Sequence, residues 1–147
     1  MITSAEEALL RRAIAIAAHA VALGDAPYGS LLTSADGTIL IEAHNTGRRD
    51  NDISAHPELK LARWAARELD AATAARTTMY TSCQPCQMCA GGIARSGLGR
   101  VVYALSVDQF STLNPGSDWP VVPQDGPALF DEARVPIEKF YHPQPEP

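Results

Sequence analysis

The sequence predicts an α/β protein, and three observations predict it. Short β-type runs around 28–33, 38–44, 77–82 and 100–105 alternate with stretches of helical apolar spacing around 4–23, 55–69 and 86–95. Hydrophobic residues make up 46% of the 147-residue chain and charged residues 20%, the balance of a soluble chain that can bury one core. No repeat, linker or low-complexity segment divides it, so a single domain over residues 1–147 is expected, with a Pro-rich tail over 143–147 that frays.

Each element has a local cause. Ser4 with Glu7 reads as a capping box that starts a helix stopped by Gly24, and Leu9, Ala13, Ile16, Ala17 and Ala20 give it a sheet-covering face. Arg11-Arg12 ahead of the apolar run 13–23 imitates a secretory leader, but Glu6 and Glu7 spoil its positive end. Tyr28–Thr33 and Thr38–His44 read as a hairpin around Asp36-Gly37, followed by a polar loop over 45–54. Ala55–Leu69 has helical spacing, with Leu59, Ala62, Ala66 and Leu69 on one face and Pro57 acceptable only in the first turn. Thr77–Ser82 reads as a strand, Cys86–Arg95 as a helix ending near Gly97, and Arg100–Leu105 as another strand. Ser111–Gln124, rich in Pro, Gly and Asp, reads as a long loop of the kind that usually serves function. A short helix near 128–133 and a strand at Val135–Tyr141 complete the expectation. No apolar run is long enough to span a bilayer.

Charge and cysteines narrow the function. Twelve basic against 17 acidic residues leave −5 at pH 7, which argues against broad binding to a phosphate backbone and for a small-molecule or protein partner. Arg48-Arg49 reads as a solvated loop face, and a local basic patch from Arg63, Arg67, Arg95 and Arg100 is the nucleic-acid alternative. The three cysteines, Cys83, Cys86 and Cys89, lie within seven positions, so they offer no long-range disulfide framework and a reducing, cytosolic setting is the default.

The chemistry lies in two motifs, His56-Pro57-Glu58 and Pro85-Cys86-Gln87-Met88-Cys89, each at the start of an expected helix. Cysteines three apart at a helix start share a face and can reach one ion, and the helix dipole favours the thiolates a metal needs. His56 is the third ligand if the two helix starts pack side by side, and three protein ligands leave open the fourth position that marks a catalytic zinc. Two thiolates already cancel the charge of Zn²⁺, so a nearby base is needed to activate water, and Glu58, two residues from a ligand, can accept and return that proton. Cys83 is expected to end a strand and face the core. His19, His44 and His142 have no ligand-like spacing.

These residues match the H-x-E…P-C-x-x-C signature of zinc nucleobase deaminases. The chain resembles the cytidine/deoxycytidylate deaminase superfamily, and within it the guanine and cytosine deaminase branch, through Asn45, Asn51-Asp52, Ala55–Glu58, Met79–Cys86 and Met88–Ile93. The resemblance implies a three-layer α-β-α sandwich around a mixed five-stranded sheet, a homodimer, and one zinc per chain on His56, Cys86 and Cys89. It also implies that Glu58 shuttles protons and that Asn45 hydrogen-bonds the ring of guanine, cytosine or a related aminopyrimidine or aminotriazine. Ala55 and Pro57 are further substrate-contact candidates. So are Phe110, Asp118 and Trp119 in the segment 107–124, with Tyr141 beyond it. Two departures stand out. Pro57 has no N–H where family members use one toward the substrate, so it can offer only its side chain or carbonyl. Gln84 stands where related members often carry Glu. A tRNA adenosine or nucleoside deaminase with the same zinc kit, and a noncatalytic zinc-stabilised interaction module, are the competing readings.

Overall fold

Thr3, not Ser4, caps the first helix, α1 (Ser4–Ala22). Its hydroxyl accepts the Glu6 N–H at 3.2 Å while the Glu6 carboxylate accepts the Thr3 N–H at 2.8 Å. The capping box is therefore one residue earlier than expected, because threonine offers the same acceptor as serine. The computed structural model describes residues 1–116 and 121–143. Leu10, Ala13, Ile16, Ala17 and Ala20 are the buried face of α1, and Gly24 follows its end in the left-handed region, at φ 86°.

The expected hairpin is present as β1 (Gly29–Thr33) and β2 (Ile39–His44), antiparallel, with Gly37 at φ 86° in the turn. The polar loop after it contains one short helix, α2 (Gly47–Asp50). Next come α3 (Pro57–Glu68) and a single turn, α4 (Ala71–Ala74). The strands β3 (Thr78–Cys83) and β4 (Arg100–Leu105) flank α5 (Gln87–Ser96), which Gly97 ends at φ 81°. The buried face of α3 is Leu61, Ala62 and Ala65 beside Pro57 and Glu58, whereas Ala66 is exposed. The expected stripe is thus rotated, because Leu59 turns toward α5 and not toward the sheet.

The sheet order is β2-β1-β3-β4, with β1 antiparallel to both β2 and β3 and β3 parallel to β4. This is a mixed sheet, as expected, but the described residues give it four strands and not five. Side chains alternate across it. Leu31 and Tyr80 join Leu10, Ile16 and Val102 under α1, while Leu32 and Met79 join Leu61, Ala62, Ala65 and Ile93 under α3 and α5. Leu31 and Leu32 have no exposed surface, and burying each contributes about 2 kcal/mol. Gly29 lets β1 approach α1, since a Cβ there would sit 2.5 Å from the Ala13 carbonyl oxygen and the Ala17 nitrogen.

Residues 107–113, expected as the start of a variable loop, form α6 (Val107–Leu113). A second capping box between Ser106 and Gln109 begins it. The chain divides into two compact units, Met1–Ser117 and Asp118–Pro147, and all elements so far belong to the first. In the second, the expected helix–strand pair is one helix, α7 (Phe130–Tyr141). Val135, Ile137 and Tyr141 imitate strand alternation, but Phe130, Ala133, Ile137 and Tyr141 also recur at helical spacing. Arg134 pairs with Glu138 one turn on, at 2.9 Å. The strand that would have been fifth is therefore helical. Among the described residues, no helix is long and apolar enough to cross a membrane.

Candidate active site

Two helix starts build the site. His56 is the N-cap residue of α3 in extended conformation, and Pro57 takes the first helical position, where a missing N–H leaves no helical bond unmade. Cys86 is the N-cap of α5 and Cys89 lies in its first turn. The two helices approach closely because residue 92 is glycine: a Cβ there would lie 2.5 Å from Leu59 Cδ1. His56 Nδ1 consequently lies 3.4 Å from Cys89 Sγ and 3.7 Å from Cys86 Sγ, and all three ligand atoms fall within 4.8 Å of one another. Tetrahedral zinc with ordinary Zn–S and Zn–N bonds needs about 3.6 Å between a sulfur and a nitrogen ligand, so the donor set fits the ion. Cys86 is exposed and Cys89 buried, so the cluster opens to one side.

The three ligand groups shift one another's protonation. Hydrogen bonds with Cys89 and then His56 pull the Cys86 thiol down to about 4, while Cys89, sharing that hydrogen bond and buried, is pushed up. His56 is raised, chiefly by Cys86. Glu58 is 4% exposed, and burial raises its carboxyl above the ordinary value. Its Oε1 accepts the Thr81 hydroxyl at 3.0 Å, and Thr81 in turn accepts the Ser30 hydroxyl at 2.8 Å. Oε2 lies on the ligand side, 3.9 Å from Cys89 Sγ.

The other expected residues sort as follows. Asn45 is buried at the end of β2, where its Oδ1 accepts the Gly47 N–H at 2.8 Å, and among the described residues no acceptor takes a hydrogen bond from its Nδ2. Its backbone N–H reaches the Tyr28 carbonyl at 3.0 Å, and the Thr46 N–H reaches the Ala55 carbonyl at 3.1 Å. Ala55 and Pro57 are both buried beside His56. Phe110, on α6, tilts against Tyr28 at 6.2 Å between ring centroids, and Tyr28 stacks on His56 at 6.5 Å. Gln84 ties the cysteine loop to α6, its Oε1 accepting the Val107 N–H at 3.0 Å. Cys83 is buried at the end of β3, outside the ligand cluster. Asp118 and Trp119 lie outside the described residues, and Tyr141 is in the second unit. His19 and His44 meet edge to face at 5.6 Å away from the ligand cluster, and Arg49 pairs with buried Asp25 at 3.2 Å.

Sequence reasoning missed Tyr28, Ser30, Thr81 and Lys60. Ser30 and Thr81 stand opposite each other in the β1–β3 register, on the same strand faces as Leu32 and Met79. Two hydroxyls on a face otherwise packed with apolar residues were the available signal, since a buried hydroxyl needs a partner.

The model of the cytidine and deoxycytidylate deaminase zinc-binding region matches residues 3–105, and the chain belongs to that family. Its zinc-binding region contains His56, Cys86 and Cys89, which form the possible metal site. More particularly, the chain is similar to the guanine deaminase of Bacillus subtilis, 36% identical over 99 residues covering 67% of this chain and 63% of that protein. The crystal structure of that enzyme superposes with a TM-score of 0.76 at 26% identity, covering 96% of each chain. The tRNA-specific adenosine deaminase of Haemophilus influenzae is 33% identical over 101 residues, 69% of this chain and 58% of that protein. The tRNA(Ile)-lysidine synthase of Deinococcus radiodurans is 30% identical over 140 residues, which is 90% of this chain but only 24% of the synthase. The chain thus spans about a quarter of that synthase and less than two thirds of the other two relatives.

Proposed function

We propose that the chain works as a single deaminase domain that converts a free amino-substituted heterocycle, guanine, cytosine or a related aminopyrimidine or aminotriazine, to its oxo form with release of ammonia. One observation carries this reading: a buried carboxylate, Glu58, is held by Thr81 beside three zinc-ligand atoms at the mouths of two helices. Bound zinc supplies Lewis-acid activation of a water molecule. Glu58 carries the first proton of that water to the ring nitrogen beside the amino-bearing carbon and the second to the amine. A C–O bond forms, the C–N bond breaks, and ammonia leaves. Asn45 donates from Nδ2 to a ring acceptor, its amide oriented by the Gly47 N–H on Oδ1. Tyr28 and Phe110 give a flat ring two aromatic walls, and Ala55 and Pro57 complete the floor without an N–H from residue 57. The likeness to guanine deaminase over 96% of both chains supports a base as substrate, and the family resemblance supports a homodimer.

The test is ammonia release from the zinc-loaded chain over a panel of these heterocycles, with Glu58→Gln alongside. The substitution is expected to lower turnover by roughly 10²–10⁴ while one zinc per chain stays bound. Full turnover by the Gln variant would remove Glu58 from the reaction. A tRNA adenosine substrate is the second reading, supported by the Haemophilus influenzae relative. Deamination of a tRNA anticodon hairpin and of no free base would select it.

A further inference from the structure

Lys60 belongs to neither signature motif, yet it ties the helix that carries Glu58 to the turn that carries Asn45. Its Nζ donates to the His44 carbonyl at 3.0 Å and to Thr46 Oγ1 at 2.6 Å, the residues on either side of Asn45. Thr46 Oγ1 donates in turn to Asp50 Oδ2 at 2.6 Å, at the end of α2. Within the turn, the Gly47 N–H fixes the orientation of the Asn45 amide, and a Cβ at Gly47 would press to 3.2 Å on the same Oδ1. At its other end, Lys60 is rooted one helical turn past His56, whose carbonyl accepts its N–H at 3.0 Å. Glu58 and Lys60 thus rise from the same rigid turn of α3. The two bonds to Nζ therefore link the residues on either side of Asn45 to the turn of α3 that carries Glu58. Burial holds the Lys60 ammonium below its ordinary value, with Arg49 acting in the same direction and the Asp50, Asp25 and Asp52 carboxylates opposing it.

We propose that Lys60 is a positioning residue for the ring-binding amide of Asn45. By bridging His44 and Thr46 it holds that amide at a set distance from Glu58, so that a ring gripped by one group meets the other in register. The kinetic part of this role rests on Asn45 being a substrate donor, as read above; the geometric part does not.

The test uses the zinc-loaded full chain and the variants Lys60→Met and Lys60→Arg. Lys60→Met is expected to speed amide hydrogen exchange at Gly47, whose N–H is bonded to Asn45 Oδ1, by about tenfold, with the α3 amides of Ala62 and Ala65 unchanged. Lys60→Arg is expected to restore most of the protection. With guanine as the ring probe, Lys60→Met raises KM about tenfold and lowers kcat about fivefold, because the ring then meets Glu58 out of register. In an Asn45→Ala background the same substitution adds nothing further. Unaltered exchange at Gly47 in Lys60→Met, or a KM effect undiminished without Asn45, overturns the positioning role. An Asn45→Ala chain with unchanged KM instead overturns the reading of Asn45, and the exchange measurement still decides for or against Lys60, whichever ring is turned over.

Discussion

At the scale of single residues, the site depends on which oxygen of Glu58 is restrained. Thr81 has no exposed surface and links Ser30 to Glu58 Oε1, so the carboxylate has one oxygen held from the sheet and the other toward the ligand cluster. Thr81→Val keeps the shape and removes both hydrogen bonds. It is expected to destabilise the chain by about 1–3 kcal/mol, because Ser30 loses its acceptor, and to lower kcat about tenfold with zinc content unchanged. Thr81→Ser should recover most of the activity, and chemical denaturation beside steady-state kinetics separates the two effects. The cysteines divide in the same manner. Cys86 and Cys89 meet His56 within ligand distance, whereas Cys83 is buried at the strand end. Cys86→Ser is expected to yield protein without stoichiometric zinc, and Cys83→Ala to keep one zinc per chain at a packing cost of about 1 kcal/mol. Metal analysis of the purified variants checks both.

At the scale of elements, the helix starts were legible because they rest on short contiguous patterns, and the faces and ends were less so. His56-Pro57-Glu58 and Pro85–Cys89 mark helix starts, and α3 and α5 begin at Pro57 and Gln87, two residues and one residue later than expected because His56 and Cys86 are the caps. The stripe on α3 was misplaced because Leu59 serves the α3–α5 contact over Gly92, a choice made by tertiary packing. The strand expected at Val135–Tyr141 is helical since both periodicities fit those residues, and Arg134 with Glu138 favours the helix. A local pattern can also couple distant elements. Glu6, in the first turn of α1, is held down to about 2 by the Thr3 N–H and then by Arg100 at the start of β4. Its folded value lies below the ordinary 4.5, so its contribution to stability is complete above about 4.5 and is lost as pH falls toward 2. The stability gap between the natural chain and Glu6→Gln is therefore expected to be open at pH 6 and to close through that window. Urea titrations at a series of acidic pH values measure it, and a gap independent of pH would show that Glu6 acts only as a cap.

At the scale of the whole molecule, the possible metal ligands and the proposed proton carrier stand out in the sequence because metal chemistry demands such residues at fixed short spacings. The groups that orient them do not. Ser30, Thr81 and Lys60 meet their partners across 51, 23 and 14–16 positions of chain, contacts that only the sheet order and helix packing create. Substrate choice is a further step removed, since a base deaminase and a tRNA deaminase match this chain at 36% and 33% identity. Charge is the property that separates those two readings. The chain carries −5, and Arg11, Arg12, Arg49 and Arg100 each pair with a carboxylate, on Glu7, Glu42, Asp25 and Glu6, which leaves Arg63, Arg67 and Arg95 of the basic-patch alternative without an ion pair among the described residues. Binding to RNA draws its affinity from unpaired cations that displace counterions, and each such contact steepens the dependence on salt. A tRNA anticodon hairpin is therefore expected to bind no more tightly than about 10⁻⁴ M at near-physiological salt, the weak end of nonspecific association. Ammonia release from a free base should stay within about twofold when salt rises from roughly 50 to 200 mM, a change that costs a protein with several phosphate contacts orders of magnitude. Micromolar binding of the hairpin with a steep salt slope would instead assign the same zinc machinery to RNA, with Arg63, Arg67 and Arg95 as the cations available to it.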